Sequence, residues 1–137
     1  MTLISFVIIL YNCSSVNTKT YDFQVTYAKT KGRLKTKPHY IIRLKGDSVS
    51  YNGIANMSII GERNFKISKS ELKQIRKAFE ESDFSSFDQL YQGNVRDLPI
   101  TNITYNDYEV RFQSKQAPEK LKELALLMEE LLHHLSL

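Results

Sequence analysis

Past its first twenty residues the chain alternates between two hydrophobic periods, and the changes of period divide it into elements. Tyr21, Phe23, Val25 and Tyr27 alternate with Asp22, Gln24 and Thr26, the period-two pattern of a strand buried on one face. Lys31-Gly32-Arg33 is turn-prone, and Tyr40 to Leu44 predicts a second strand ended by Gly46-Asp47. Val49, Tyr51 and Ile54 predict a third strand, and Asn64 to Ile67 a short fourth after Gly53 and Gly61. Ser68-Lys69-Ser70-Glu71 has the form of a capping box, in which the hydroxyl and carboxylate satisfy donors that a first helical turn leaves free. From there Leu72, Ile75, Ala78 and Phe79 recur at helical spacing, with Lys73, Arg76 and Lys77 on the wet side, and predict a helix to about Ser82. Phe84, Phe87, Leu90 and Tyr91 read as a compact aromatic connector that fills the core.

Gly93, Asn94, Asp97 and Pro99 mark a loop. After it, Ile103 and Tyr105, then Tyr108, Val110 and Phe112, alternate with polar residues on either side of Asn106-Asp107, as in a tight hairpin. Pro118 opens a last helix at a position where a missing N–H does no harm. Its stripe of Leu121, Leu124, Leu127, Met128, Leu131, Leu132 and Leu135 should cover one face of the sheet. The expected fold class is α+β: an antiparallel sheet with two helices packed on one face, in the order three or four strands, helix, hairpin, helix. One domain over residues 21–137 accommodates all of it.

The first twelve residues have a different character. Leu3, Ile4 and Phe6 to Tyr11 form an apolar run broken only by Ser5, too short for a transmembrane helix of about 20 residues but suited to the core of a signal peptide. The run ends at Cys13, the only cysteine, followed by Ser14 to Thr18. This resembles a bacterial lipoprotein signal, with Leu10 at the apolar position three residues before the cysteine. Asn12 departs from the usual small residue, and no Lys or Arg precedes the run. The resemblance implies a signal peptide over 1–12, lipidation of Cys13, a tether over 13–20 and a place at the bacterial cell envelope. A buried first strand is the alternative, because β-branched and aromatic residues favour strands.

Composition narrows the chemistry more than it identifies it. With 137 residues, 42% hydrophobic and 25% charged, the chain can bury one ordinary core, and a single cysteine forms no internal disulfide. No dinucleotide-binding, phosphate-loop or nucleophile-elbow pattern occurs, and no cofactor is expected. His133 and His134 are adjacent, about 100° apart on a helix, so with His39 elsewhere no metal site is expected. Asp83 and Asp97 are the carboxylates open to acid–base work, but only if the fold brings them together. Lys29, Lys31, Arg33, Lys35 and Lys37 fall on every second position and would share one face of an extended chain, although Gly32 and Pro38 argue that part of the run is a loop. They are candidates for an anionic ligand: an acidic protein, a polysaccharide or lipid head groups. The alternative is a solvated end that discourages aggregation. A net charge of only +4 and the export-like start argue against nucleic acid.

From about Phe23 to Leu131 the chain resembles the bacterial family known as domain of unknown function 6438. The resemblance rests on Pro38-His39-Tyr40, Gly46 to Val49, Tyr51-Asn52-Gly53, Ile67-Ser68 with Glu71-Leu72, Phe79 and Phe84. It continues through Leu90-Tyr91, Asp97-Leu98-Pro99, Ile103, Pro118, Leu121 and Leu124. It implies a secreted or lipid-anchored α+β protein without an assigned activity. Typical members carry Cys-x-Gly-x-Cys-Pro-x-Tyr before the second strand; here Gly32, Pro38 and Tyr40 lie in a longer basic loop without either cysteine. The resemblance therefore carries no redox, disulfide or metal role for that segment over to this chain. The expected function is a non-catalytic, lipid-anchored binding or interaction module; an inhibitor or immunity-type protein and an envelope hydrolase are the alternatives.

Overall fold

The computed structural model describes residues 23–136; Cys13, the apolar run before it, the tether and Tyr21 lie outside the described residues. Four strands come first: β1 (Gln24–Thr30), β2 (His39–Lys45), β3 (Ser48–Ala55) and β4 (Gly61–Lys66). Helix α1 (Lys69–Glu80) and a 3₁₀ turn (Phe84–Ser86) follow. Then come β5 (Leu90–Tyr91), β6 (Ile100–Tyr105), β7 (Tyr108–Phe112), α2 (Glu119–Glu130) and a terminal 3₁₀ turn (Leu131–Leu135). The strands make one sheet in the order β4-β3-β2-β1-β6-β7-β5, antiparallel except for the parallel β5–β7 pair at the edge. The chain is an α+β domain. Among the described residues, no helix is long and apolar enough to cross a membrane.

The period-two residues explain the layering. Val25, Tyr27, Tyr40, Ile42, Leu44, Val49, Tyr51, Ile103, Val110 and Phe112 are buried and belong to one core with Ile75 and Phe79 of α1 and Leu121, Leu124, Ala125 and Met128 of α2. Register brings these residues opposite one another: Tyr27 faces Ile42 on one side and Ile103 on the other, and Ile42 faces Tyr51. A one-residue slip would turn them all to solvent. The aromatic connector fills the core through Phe84, which lies 5.9 Å from Phe79, itself 5.3 Å from Tyr105, with Phe87 and Tyr91 half-buried against it. Such ring pairs contribute about 0.5–1.5 kcal/mol each beyond burial. Leu90, expected there too, instead faces solvent at the sheet edge and is 53% exposed. The connector's end, Leu90–Tyr91, does more than connect, because it pairs with Arg111 and Phe112 of β7 as an edge strand of the sheet.

Local signals were obeyed closely. The capping box forms in full: Glu71 N–H donates to Ser68 Oγ and Ser68 N–H to the Glu71 carboxylate, each at 3.1 Å. Asn106 and Asp107 both have positive φ, 49° and 63°, as the two central residues of a type I′ hairpin must. Gly53 is needed for another reason: a Cβ there would run into the Ile59 carbonyl, which folds back to accept the Tyr51 hydroxyl at 2.8 Å.

Candidate functional cleft

The basic segment is where structure and sequence pattern part. β1 ends at Thr30, and residues 31–38 are turns rather than extended chain, so the five alternate cations do not share a face. The left-handed turn at Gly32 (φ 59°) breaks the period. Lys29 alone stays in the strand and points into the domain, where its Nζ lies 2.8 Å from Glu129 of α2. Lys31, Arg33, Lys35 and Lys37 are displayed along the loop.

That loop is held from two sides. Arg33 N–H donates to the Asp97 carbonyl at 3.3 Å, and the Arg33 side chain lies 3.2 Å from the Asp97 carboxylate. Their side chains are 84% and 56% exposed, so the ion pair contributes little, at most about 1 kcal/mol. The firmer constraint is the backbone contact at Gly32, where a Cβ would come within 2.5 Å of the Asp97 carbonyl oxygen. On the far side Asn56, itself in the left-handed region, donates to the Lys35 and Lys37 carbonyls. The facing loop, 92–99, is clamped by buried Gln113, whose Nε2 donates to the Val95 carbonyl at 2.7 Å while its Oε1 accepts from Gly93 N–H at 2.9 Å.

Between the two loops lies a cleft of about 620 Å³, lined by Leu34, Lys37, Pro38, Val95, Leu98 and Pro99, with Lys29, Lys115 and Gln113 among the other contributors. Of the seven large hydrophobic residues exposed among the described residues, Leu34, Val95 and Leu98 are three. Among the described residues, none that lines it is aromatic. Beneath it, Glu129 accepts from the Tyr27 hydroxyl as well as from Lys29. Burial first, then neighbouring Tyr40 and Glu129, holds Tyr27 far above the ordinary tyrosine range; burial and the Glu129 charge do the same for Tyr40. Both phenols are therefore neutral, the Tyr27 hydroxyl donates to Glu129, and Lys29 is paired with the same carboxylate instead of being free for a ligand.

The other singled-out residues lie elsewhere. Asp83, in the left-handed conformation before the 3₁₀ turn, lines a depression with Phe79, Glu80, Phe84 and Tyr108, while Asp97 is held by Arg33. The two carboxylates do not share a depression. His39 begins β2, away from the other two histidines in the chain. His133 and His134 contradict the expectation that adjacent histidines diverge: their ring centroids are 4.0 Å apart, and both Nε2 atoms approach Glu71. Backbone angle fixes where each Cα–Cβ bond points, but the side-chain torsions of the terminal turn swing both rings toward α1. Neither Gln113 nor Asn56 carries a local pattern that marks it as a clamp; their importance comes from loops distant in sequence.

A search of curated proteins finds no match. The family model described as domain of unknown function (DUF6438) matches residues 18–132. It spans every strand and both α-helices, and Gly32 and Pro38 fall in the cleft's own loop, while Tyr40 lies just beyond it in β2. The chain belongs to the DUF6438 family.

Proposed function

We propose that this protein is a non-catalytic binding module of the cell envelope, tethered by a lipid on Cys13, that takes an acidic and partly apolar segment of another protein in the cleft between loops 31–38 and 92–99. The observation that carries the reading is the exposure of Leu34, Val95 and Leu98 on two loops that the fold holds in place, beside Lys37 of the first loop and Lys115 of the segment between β7 and α2. A free phosphate would leave the apolar walls unused, and a sugar would find no aromatic ring on which to stack. A peptide that sets an apolar side chain next to a carboxylate matches both features. Preorganised walls also lower the cost of ordering on binding. The family match begins at residue 18, which leaves Cys13 upstream of the matched domain, as a tethering position requires.

The test is fluorescence anisotropy with peptides of equal length that are acidic and apolar, acidic and polar, or basic and apolar. The first class should bind best and weaken as salt rises, since exposed charges are screened beyond roughly 8 Å at physiological ionic strength. Replacing Lys37 and Lys115 together by Gln should cost about thirtyfold, from an attraction on the order of 1 kcal/mol per cation. The triple change of Lys31, Arg33 and Lys35 to Gln, farther along the loop, should cost less. Equal binding of acidic and basic peptides would refute the cleft reading. The anchor is tested separately, by intact mass and detergent partitioning of wild type and Cys13→Ser; an unmodified, soluble wild-type chain would refute it.

A further inference from the structure

We propose that Glu71, His133 and His134 form a binding site for a divalent transition metal ion of the zinc class, tying the C-terminal turn to the start of α1. His134 Nε2 lies 3.0 Å, and His133 Nε2 3.6 Å, from the same oxygen, Glu71 Oε1. One ligand atom from each residue falls within 4.8 Å of the other two. Zinc with bonds of about 2.0–2.1 Å in tetrahedral array sets its ligand atoms about 3.3–3.4 Å apart, and the two separations bracket that value. Two imidazoles and a carboxylate suit zinc-class ions; calcium and magnesium prefer oxygen alone.

The surroundings orient the three donors. His133 Nδ1–H donates to the Glu130 carbonyl, which leaves Nε2 with its lone pair facing Glu71. A backbone carbonyl on the remote ring nitrogen is the usual support of a metal-bound histidine. The His134 ring lies against Phe65 of β4, centroids 5.0 Å apart and planes 26° from parallel. Ser68 N–H donates to Glu71 Oε2, while Oε1 is the oxygen nearest His134 Nε2, at 3.0 Å, so an ion bound there would take the place of the proton these two atoms share. Burial works against a charge on this carboxylate, but the Ser68 hydrogen bond and then the two histidines outweigh it and hold the group below its ordinary range. A depression of about 70 Å³ beside Glu71, Gln74, Glu130 and His133 has room for a water to complete the coordination. The His133 side chain is 63% exposed, so an ion can enter without opening the fold. None of these residues lines the cleft, and the site stands independently of the peptide-binding reading.

The experiment is calorimetric titration of metal-free full-length protein with zinc chloride, with melting curves in zinc and in magnesium. One equivalent of zinc should bind saturably, and zinc at a hundredfold excess over Kd should raise Tm by roughly 5–10 °C, with no rise in magnesium. His133→Ala is the decisive variant because it leaves the capping box untouched: its metal-free Tm should match wild type while zinc affinity falls at least about tenfold. Glu71→Gln should lose zinc binding too, with a lower metal-free Tm. Absence of saturable binding, or zinc binding by His133→Ala as tight as wild type, overturns the proposal.

Discussion

Replacing Gly32 by Ala tests whether backbone contact between the two cleft loops holds the site in shape, and Gly46→Ala supplies its control. The two glycines have nearly the same backbone conformation, φ 59° and 57°. Around Gly46 a new Cβ meets nothing within 4 Å; at Gly32 it meets the Asp97 carbonyl oxygen at 2.5 Å and the Leu98 carbonyl oxygen at 2.9 Å. Both variants bear the left-handed penalty of about 1–2 kcal/mol, partly offset by a stiffer unfolded chain worth about 0.4–1 kcal/mol. Gly46→Ala should therefore lose roughly 0.5–1 kcal/mol. Gly32→Ala must in addition push two backbone segments apart, which costs about 1–3 kcal/mol as overpacking does, and weakens the Arg33 to Asp97 hydrogen bond by about 1 kcal/mol. A total of roughly 2.5–5 kcal/mol follows. Urea unfolding monitored by circular dichroism resolves the difference: with m of about 2 kcal/mol per molar, the midpoint should fall by about 1.2–2.5 M for Gly32→Ala and by less than about 0.5 M for Gly46→Ala. Equal losses within about 0.5 kcal/mol would show that the loops do not approach as described.

Asp107→Gly should stabilise the domain by about 0.5–1 kcal/mol in the same assay, since glycine meets the positive φ of 63° without the penalty that aspartate bears. Glu71 is a carboxylate whose folded value is depressed, so its contribution is present above the unfolded value near 4.5 and lost as pH falls through the folded one. Urea midpoints measured from neutral to acid pH should accordingly fall less steeply in Glu71→Gln than in wild type. Tyr27 and Tyr40 have raised values, so their contribution is full below the unfolded value of 10.0 and declines as pH rises beyond it. Alkaline titration followed by tyrosinate absorbance should show the buried phenols ionising only together with loss of the folded circular dichroism signal.

What the sequence determined by itself is whatever depends on neighbours along the chain. Alternation placed Phe23, Val25 and Tyr27 on an inner face, the apolar run Tyr40 to Leu44 gave the second strand, the capping box started α1 after Ser68, and Asn106-Asp107 closed the β6–β7 hairpin, because each signal acts over a few residues. Only the tertiary structure decided which strands lie side by side, including the return of Leu90–Tyr91 to pair with β7, since a two-residue strand has no period to read. The same holds for the sites. Alternate cations in sequence implied a common face, yet Gly32 turns the backbone away and Glu129, a hundred residues distant, draws Lys29 inward. Adjacent histidines implied divergence, yet Phe65 and Glu71, from elements remote in sequence, gather both rings at one carboxylate. Short-range sterics and hydrogen bonding write themselves into local pattern; a site made where distant loops and the chain's end meet is set by packing, which no local pattern carries.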